Sequence, residues 1–146
     1  MLVSEILRIK GTTLYTTQPH ERVVDAVKIM DQYDIGSLVG MDRGRMAGLV
    51  TFAEVLKLLA RHGGTLGDAR IDAIFVRDPP TVSPALDVME LRRLMLEHHA
   101  RYVPVMDGAT LQGVVSFHDV AKAVYEEQSF ENRMLKSYIA DDHASA

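Results

Sequence analysis

Two heptapeptides set a hydroxyl residue and an acid three places apart: Gly48-Leu49-Val50-Thr51-Phe52-Ala53-Glu54 and Gly113-Val114-Val115-Ser116-Phe117-His118-Asp119. In both, an apolar β-type run feeds a helix whose first residue follows the Thr or Ser. One consequence is structural: the hydroxyl caps the helix, and Glu54 is a capping-box partner at the third helical position. Asp119 suits that role less well, because its carboxylate reaches less far back. The other consequence is chemical. A helix N-terminus offers unpaired amides and a positive dipole end to an anion such as a phosphate, and the cap hydroxyl adds a donor. An ionised acid one turn inward only accepts hydrogen bonds, which suits the paired hydroxyls of a ribose.

Other chemistries find less support. His98, His99 and His118 invite a metal reading. Adjacent helical residues diverge by about 100°, however, so His98 and His99 are poorly placed to grip one ion. There is no Cys, no nucleophile elbow and no Walker-type phosphate loop. No catalytic residue can be named, and the expectation is a protein that is not an enzyme.

The two heptapeptides belong to a longer repeat. Pro19 and Pro84, Gly48 and Gly113, and Phe52 and Phe117 all match at an offset of 65 residues. Thr16/Thr81, Val23/Val88, Met30/Met95, Met41/Met106, Asp42/Asp107, Val50/Val115, Val55/Val120 and Lys57/Lys122 follow at the same offset without a gap. Eleven identities fall in 44 columns, where unrelated segments would share about three. Binary patterning accounts for similar Val and Leu positions but not for shared Pro, Gly and Asp, so duplication is the better account.

Each half reads as strand, helix, strand, strand, helix. Leu14 to Thr17 is extended and closed by Gln18-Pro19. Val23, Ala26, Val27 and Met30 fall on one helical stripe, repeated by Val88, Leu91 and Met95 with Arg92 as its one break. Ser37 to Met41 and Arg45 to Val50 are β-runs joined by Asp42-Arg43-Gly44; Tyr102 to Met106 and Leu111 to Val115 are joined around Asp107-Gly108. Val3 to Leu7 resembles Ile71 to Phe75 at an offset of 68, so each half opens with a short helical turn. The expected organisation is a first repeat over 3–62, a Gly-rich connection over 63–70, a second repeat over 71–125, and a C-terminal helix and polar tail over 126–146, the tail after Ile139 disordered. Neither half is large enough to bury its own strands, so the two must pack through their sheets.

Composition narrows the partners. The chain has 146 residues, 47% hydrophobic and 25% charged, with a net charge of −4. That is an ordinary globular composition with no basic excess, so nucleic acid is not an expected partner; no segment approaches the roughly 18 uninterrupted apolar residues of a membrane span, so neither is a membrane. The amino-terminal residues do not read as a signal peptide, and the expected location is the cytoplasm.

The duplicated T-x-x-P, the Pro104-Val105-Met106-Asp107 run and the Gly-h-h-Thr/Ser-x-x-Asp ending resemble the cystathionine β-synthase (CBS) domain. Two in tandem resemble a Bateman module. The resemblance implies an α/β (α+β) fold of two pseudo-symmetric βαββα repeats and a stand-alone regulatory sensor of the signal-transduction type. It also implies clefts that bind AMP, ADP, ATP, NAD or S-adenosylmethionine, assembly as a homodimer, and a downstream protein that the sequence does not identify. Carried onto this chain, Ser116 contacts phosphate and Asp119 holds ribose in the second repeat, with Thr51 and Glu54 doing so in the first. The resemblance further implies adenine contacts from backbone groups near Thr16 and Thr81, apolar walls near Ile35 and Ala100, and a phosphate cation at Arg101 next to Tyr102. Glu54 departs from the usual Asp by one methylene, about 1.5 Å, and Val39 stands where Pro104 supplies the family Pro. The alternative is a ligand-free dimerisation or protein-interaction scaffold.

Overall fold

A computed structural model describes residues 1–11 and 13–144. The β-hairpins form where turn chemistry dictates. Strands β2 (Ser37–Asp42) and β3 (Arg45–Thr51) pair antiparallel across Arg43-Gly44, whose φ values of 52° and 75° are those of a two-residue primed turn. Strands β4 (Tyr102–Asp107) and β5 (Thr110–Ser116) repeat the pairing, with Gly108 at φ 60° in the first turn position. Both hairpins shift register at the same repeat position, between Gly40 and Met41 and between Val105 and Met106.

Strand β1 (Thr16–Thr17) adds in parallel to β2. Its counterpart shrinks to a single bridge, Val82 to Val105. The cause is Pro104: Val39 donates its amide to the Tyr15 carbonyl at 3.3 Å, and a proline at the matching position has no N–H to donate. The first sheet therefore has three strands and the second two.

Helices α2 (Val23–Tyr33) and α4 (Val88–His98) bury the expected stripes, Val23, Ala26 and Met30 in one and Val88, Leu91 and Met95 in the other, while Arg92 faces solvent. Both end on a left-handed residue, Asp34 and His99, each at φ 51°. The next amides, of Ile35 and Ala100, bond back to the Met30 and Met95 carbonyls at 3.0 and 2.9 Å. This C-cap turns the chain sharply toward the other repeat. Helices α3 (Phe52–Arg61) and α5 (Phe117–Ala144) follow β3 and β5 directly. Helix α5 runs unbroken through Ala144, so the expected breakdown after Ile139 does not occur; Ser145 and Ala146 lie outside the described residues. No helix among the described residues is long and apolar enough to cross a membrane.

The opening segments cross over. Helix α1 (Val3–Lys10) is eight residues long rather than one turn, and Val3 and Ile6 pack into the core of the second repeat with Val88, Leu91, Met95 and Val115. The 3-10 turn Ile71–Ala73, with Phe75 just beyond it, packs into the first core with Val23, Met30, Leu38 and Val50. The same backbone bonds fasten both: Ile71 N to Glu21 O (2.8 Å), Asp72 N to Pro19 O (2.9 Å) and Val23 N to Ala69 O (2.8 Å) match Val3 N to Leu86 O, Ser4 N to Pro84 O and Val88 N to Met1 O, each 2.9 Å.

The exchange explains the repeated glycine. A Cβ on Gly48 would overlap the Phe75 ring, and one on Gly113 would sit 3.0 Å from Leu7 Cδ2. Leu7 and Phe75 are the equivalent residues of the two crossing segments, so the glycines are seats for them. Gly48→Ala is expected to cost about 1–3 kcal/mol by displacing a buried ring. Gly113→Ala, facing a flexible leucine tip, should cost clearly less; urea denaturation of both variants measures the difference.

Candidate functional site

The two corners identified in the sequence each face the opposite repeat. Ser116, Phe117, His118 and Asp119 open onto a cleft of about 530 Å³ whose far side is Leu14, Tyr15 and residues 34–37 of the first repeat. Thr51, Phe52, Ala53 and Glu54 open onto a second cleft of about 480 Å³, faced by Pro79, Pro80 and residues 99–102 of the second repeat. Both volumes lie in the range of small-molecule sites. The linings correspond at the 65-residue offset, so duplication of the chain has duplicated the cleft. Each is built by both repeats rather than within one, because the αL caps at Asp34 and His99 direct the following residues across the boundary.

Of the expected site residues, Ser116, Asp119 and Ile35 line the first cleft, and Thr51, Glu54 and Ala100 line the second. Arg101 and Tyr102 border both. Thr16 and Thr81 are exposed and line neither; the chain reaches the clefts one or two residues earlier, at Leu14-Tyr15 and Pro79-Pro80. His99 and His118 lie in different clefts. Lys10 and Tyr15 also line the first cleft. The ring of Tyr15 is fixed against Tyr33 with centroids 4.6 Å apart.

The two corners are capped differently. At the first, the Glu54 carboxylate accepts from the Thr51 amide at 2.9 Å, and the Thr51 hydroxyl, 3.1 and 3.2 Å from the two carboxylate oxygens, donates to it. Hydroxyl and acid are thus spent on each other. At the second, Asp119 closes the box despite its shorter reach: Oδ2 accepts from the Ser116 amide at 2.8 Å, and Ser116 Oγ accepts from the Asp119 amide at 3.0 Å. Ser116 Oγ acts there as an acceptor, and the hydroxyl lies close enough to the carboxylate to help stabilise its charge. Asp119 Oδ1 accepts no hydrogen bond among the described residues.

Lys10, the last residue of α1, reaches into this corner. Its Nζ donates to Asp119 Oδ2 at 2.7 Å and to the Val114 carbonyl at 2.8 Å. Burial pushes the Asp119 carboxyl up, but Lys10 and the Ser116 amide and hydroxyl together outweigh it and hold the group below its ordinary value. Burial raises the Tyr102 phenol; Arg101 opposes this and Asp119 adds to it. Tyr102 covers Gly36, where any Cβ would overlap the phenol, and so forms the wall between the clefts. Arg101 makes no ion pair among the described residues.

The comparison with known proteins gives the family. CBS domains match at residues 3–61 and 71–126. The chain belongs to the CBS-domain family. It is 29% identical over 147 residues to the CBS domain-containing protein CBSX3, mitochondrial, of Arabidopsis thaliana, covering 94% of this chain and 71% of that one. A protein with CBS domains from Burkholderia ambifaria superposes with a TM-score of 0.82 at 31% identity, covering 88% of this chain and 96% of that one. The CBS domain pair of protein MJ0100, solved with 5′-methylthioadenosine and S-adenosyl-L-methionine, superposes with a TM-score of 0.77 at 23% identity, covering 87% and 98%. The α/β fold of two packed CBS repeats is thereby established, and such pairs are regulatory modules.

A depressed carboxyl pKa contributes stability that is complete above the unfolded value, near pH 4, and is lost as pH falls through the lower folded value. Asp119→Asn should therefore be less stable than the parent by about 1 kcal/mol at pH 5–8. The gap should shrink below about pH 4, as followed by urea denaturation across pH.

Proposed function

We propose that this CBS pair is a non-catalytic sensor that binds an adenosine-containing ligand in the cleft closed by Ser116 and Asp119. The observation that carries this reading is the state of that corner: a carboxylate whose Oδ1 accepts no hydrogen bond among the described residues, with the Ser116 hydroxyl beside it, facing a cleft of about 530 Å³. A ribose supplies donors for Asp119 Oδ1, and a phosphate can take the Ser116 hydroxyl and the cation at Arg101. Tyr15 and Ile35 offer apolar surface for a purine. The protein MJ0100, of the same fold, was solved with two adenosine compounds, which supports adenosine as the shared element. AMP, ADP, ATP and NAD fit the pattern of acceptors and donors; S-adenosylmethionine shares the ribose. The cleft at Thr51 and Glu54 is the weaker seat, since its hydroxyl and acid already satisfy each other.

A ligand bound across two repeats favours whichever packing of the repeats fits it better, and a downstream protein would read that difference. We also read the protein as a homodimer. Phe130, Met134, Leu135, Tyr138 and Ile139 on α5 are all exposed in the single chain, and a second copy would cover them. Met134→Lys should shift sedimentation from dimer to monomer; an unchanged dimer would place the interface elsewhere.

Mass spectrometry of small molecules released from the purified protein is expected to find an adenosine compound. Adding it at 100 times its dissociation constant should stabilise the fold by about 2.7 kcal/mol. Asp119→Ala should lower affinity by about tenfold to a hundredfold while still melting cooperatively, and Glu54→Ala should leave it nearly unchanged. Equal affinity of Asp119→Ala and parent would rule out the assigned ribose contact.

A further inference from the structure

The two clefts are alike in layout, but the Ser116–Asp119 lining carries Lys10, Arg101, Asp34 and Asp119 and the other Lys57, Arg101 and Glu54; among the described residues a lysine pairs with the corner acid only in the first. Lys10 places an ammonium inside the Ser116–Asp119 cleft, held by Asp119 Oδ2 and the Val114 carbonyl. Counting from the matched residues Val3 and Ile71, the second repeat has Asp78 at the corresponding position, and that residue does not line the other cleft. Lys10 is delivered by α1, whose Val3 and Ile6 are locked in the second core, so the ammonium is positioned by packing rather than by a free loop. It occupies only one oxygen of Asp119. A ribose can therefore take Oδ1 while Lys10 stays in place, and whatever is attached to the sugar then meets Lys10, with Arg101 and His118 on the same lining.

We propose that Lys10 is the residue that selects the ligand class of this cleft, favouring adenosine compounds with an anionic phosphate chain over neutral ones and rejecting cationic ones such as a sulfonium. This rests on the adenosine reading above and specifies it. With Lys10 in place the Asp119 charge is matched, so the carboxylate does not repel a phosphate nearby. Without Lys10, an unpaired carboxylate faces the same space and the preference turns toward cations.

Three ligands share the adenosine moiety and differ in charge: AMP is anionic, 5′-methylthioadenosine neutral and S-adenosylmethionine a sulfonium. Isothermal titration of the full chain with each should give affinities in that order, AMP leading the neutral compound by about tenfold. The AMP affinity should also weaken as salt rises. In Lys10→Met the AMP advantage should disappear while 5′-methylthioadenosine binds as in the parent; Lys10→Arg should keep the order. Retention of the AMP advantage in Lys10→Met, or S-adenosylmethionine binding the parent as tightly as AMP, would overturn the selectivity and leave the adenosine reading standing. Failure of all three to bind the parent would overturn both.

Discussion

Neither repeat can close its own hydrophobic core, and the rest of the structure follows from how that shortage is met. Each repeat lends its opening segment to the other: Val3 and Ile6 complete the second core, and Ile71 and Phe75 complete the first. The loans are fixed by matching backbone hydrogen bonds and by glycines at 48 and 113 that leave room for Phe75 and Leu7. Small domains need such sharing because a core of a few dozen residues buries too little apolar surface to offset chain entropy. The crossing also brings each strand-to-helix corner opposite the segment that follows the other repeat's first long helix. The clefts are thus a geometric by-product of the same exchange that stabilises the fold.

Much of this is legible in the amino-acid sequence. The 65-residue offset disclosed the duplication, Asp42-Arg43-Gly44 and Asp107-Gly108 disclosed the hairpins, and the Thr51/Glu54 and Ser116/Asp119 spacing disclosed the corners. Local chemistry governs these features, so neighbouring residues suffice to read them. Lys10 was not legible. It meets a residue 109 positions away, and nothing in Arg8-Ile9-Lys10-Gly11 distinguishes a cleft cation from a solvated helix end. The resemblance implied adenine contacts from backbone near Thr16 and Thr81, and the cleft walls are lined by the residues just before them, Leu14-Tyr15 and Pro79-Pro80. The reach of Asp119 was underestimated because helix-end geometry, not side-chain length alone, decides whether a capping box closes. The brevity of the second parallel pairing follows from Pro104, a residue the sequence marked without revealing that its missing amide would cost a strand.

Duplication yields two clefts, and later divergence made them unequal. Glu54 in place of a shorter acid lets its cap absorb the Thr51 hydroxyl as well as the amide. Asp119 has Lys10 and the Ser116 amide on one oxygen, and among the described residues no hydrogen bond on the other. Tyr102 and Arg101 border both spaces, so the two clefts share these residues.

The most direct measurement is a crystal structure grown with a saturating adenine nucleotide. The account predicts density in the cleft bounded by Tyr15, Ile35 and Ser116, with the sugar hydroxyls on Asp119 Oδ1 and the phosphate turned toward Lys10 and Arg101. A nucleotide bound only at Thr51 and Glu54, or two empty clefts, would contradict it.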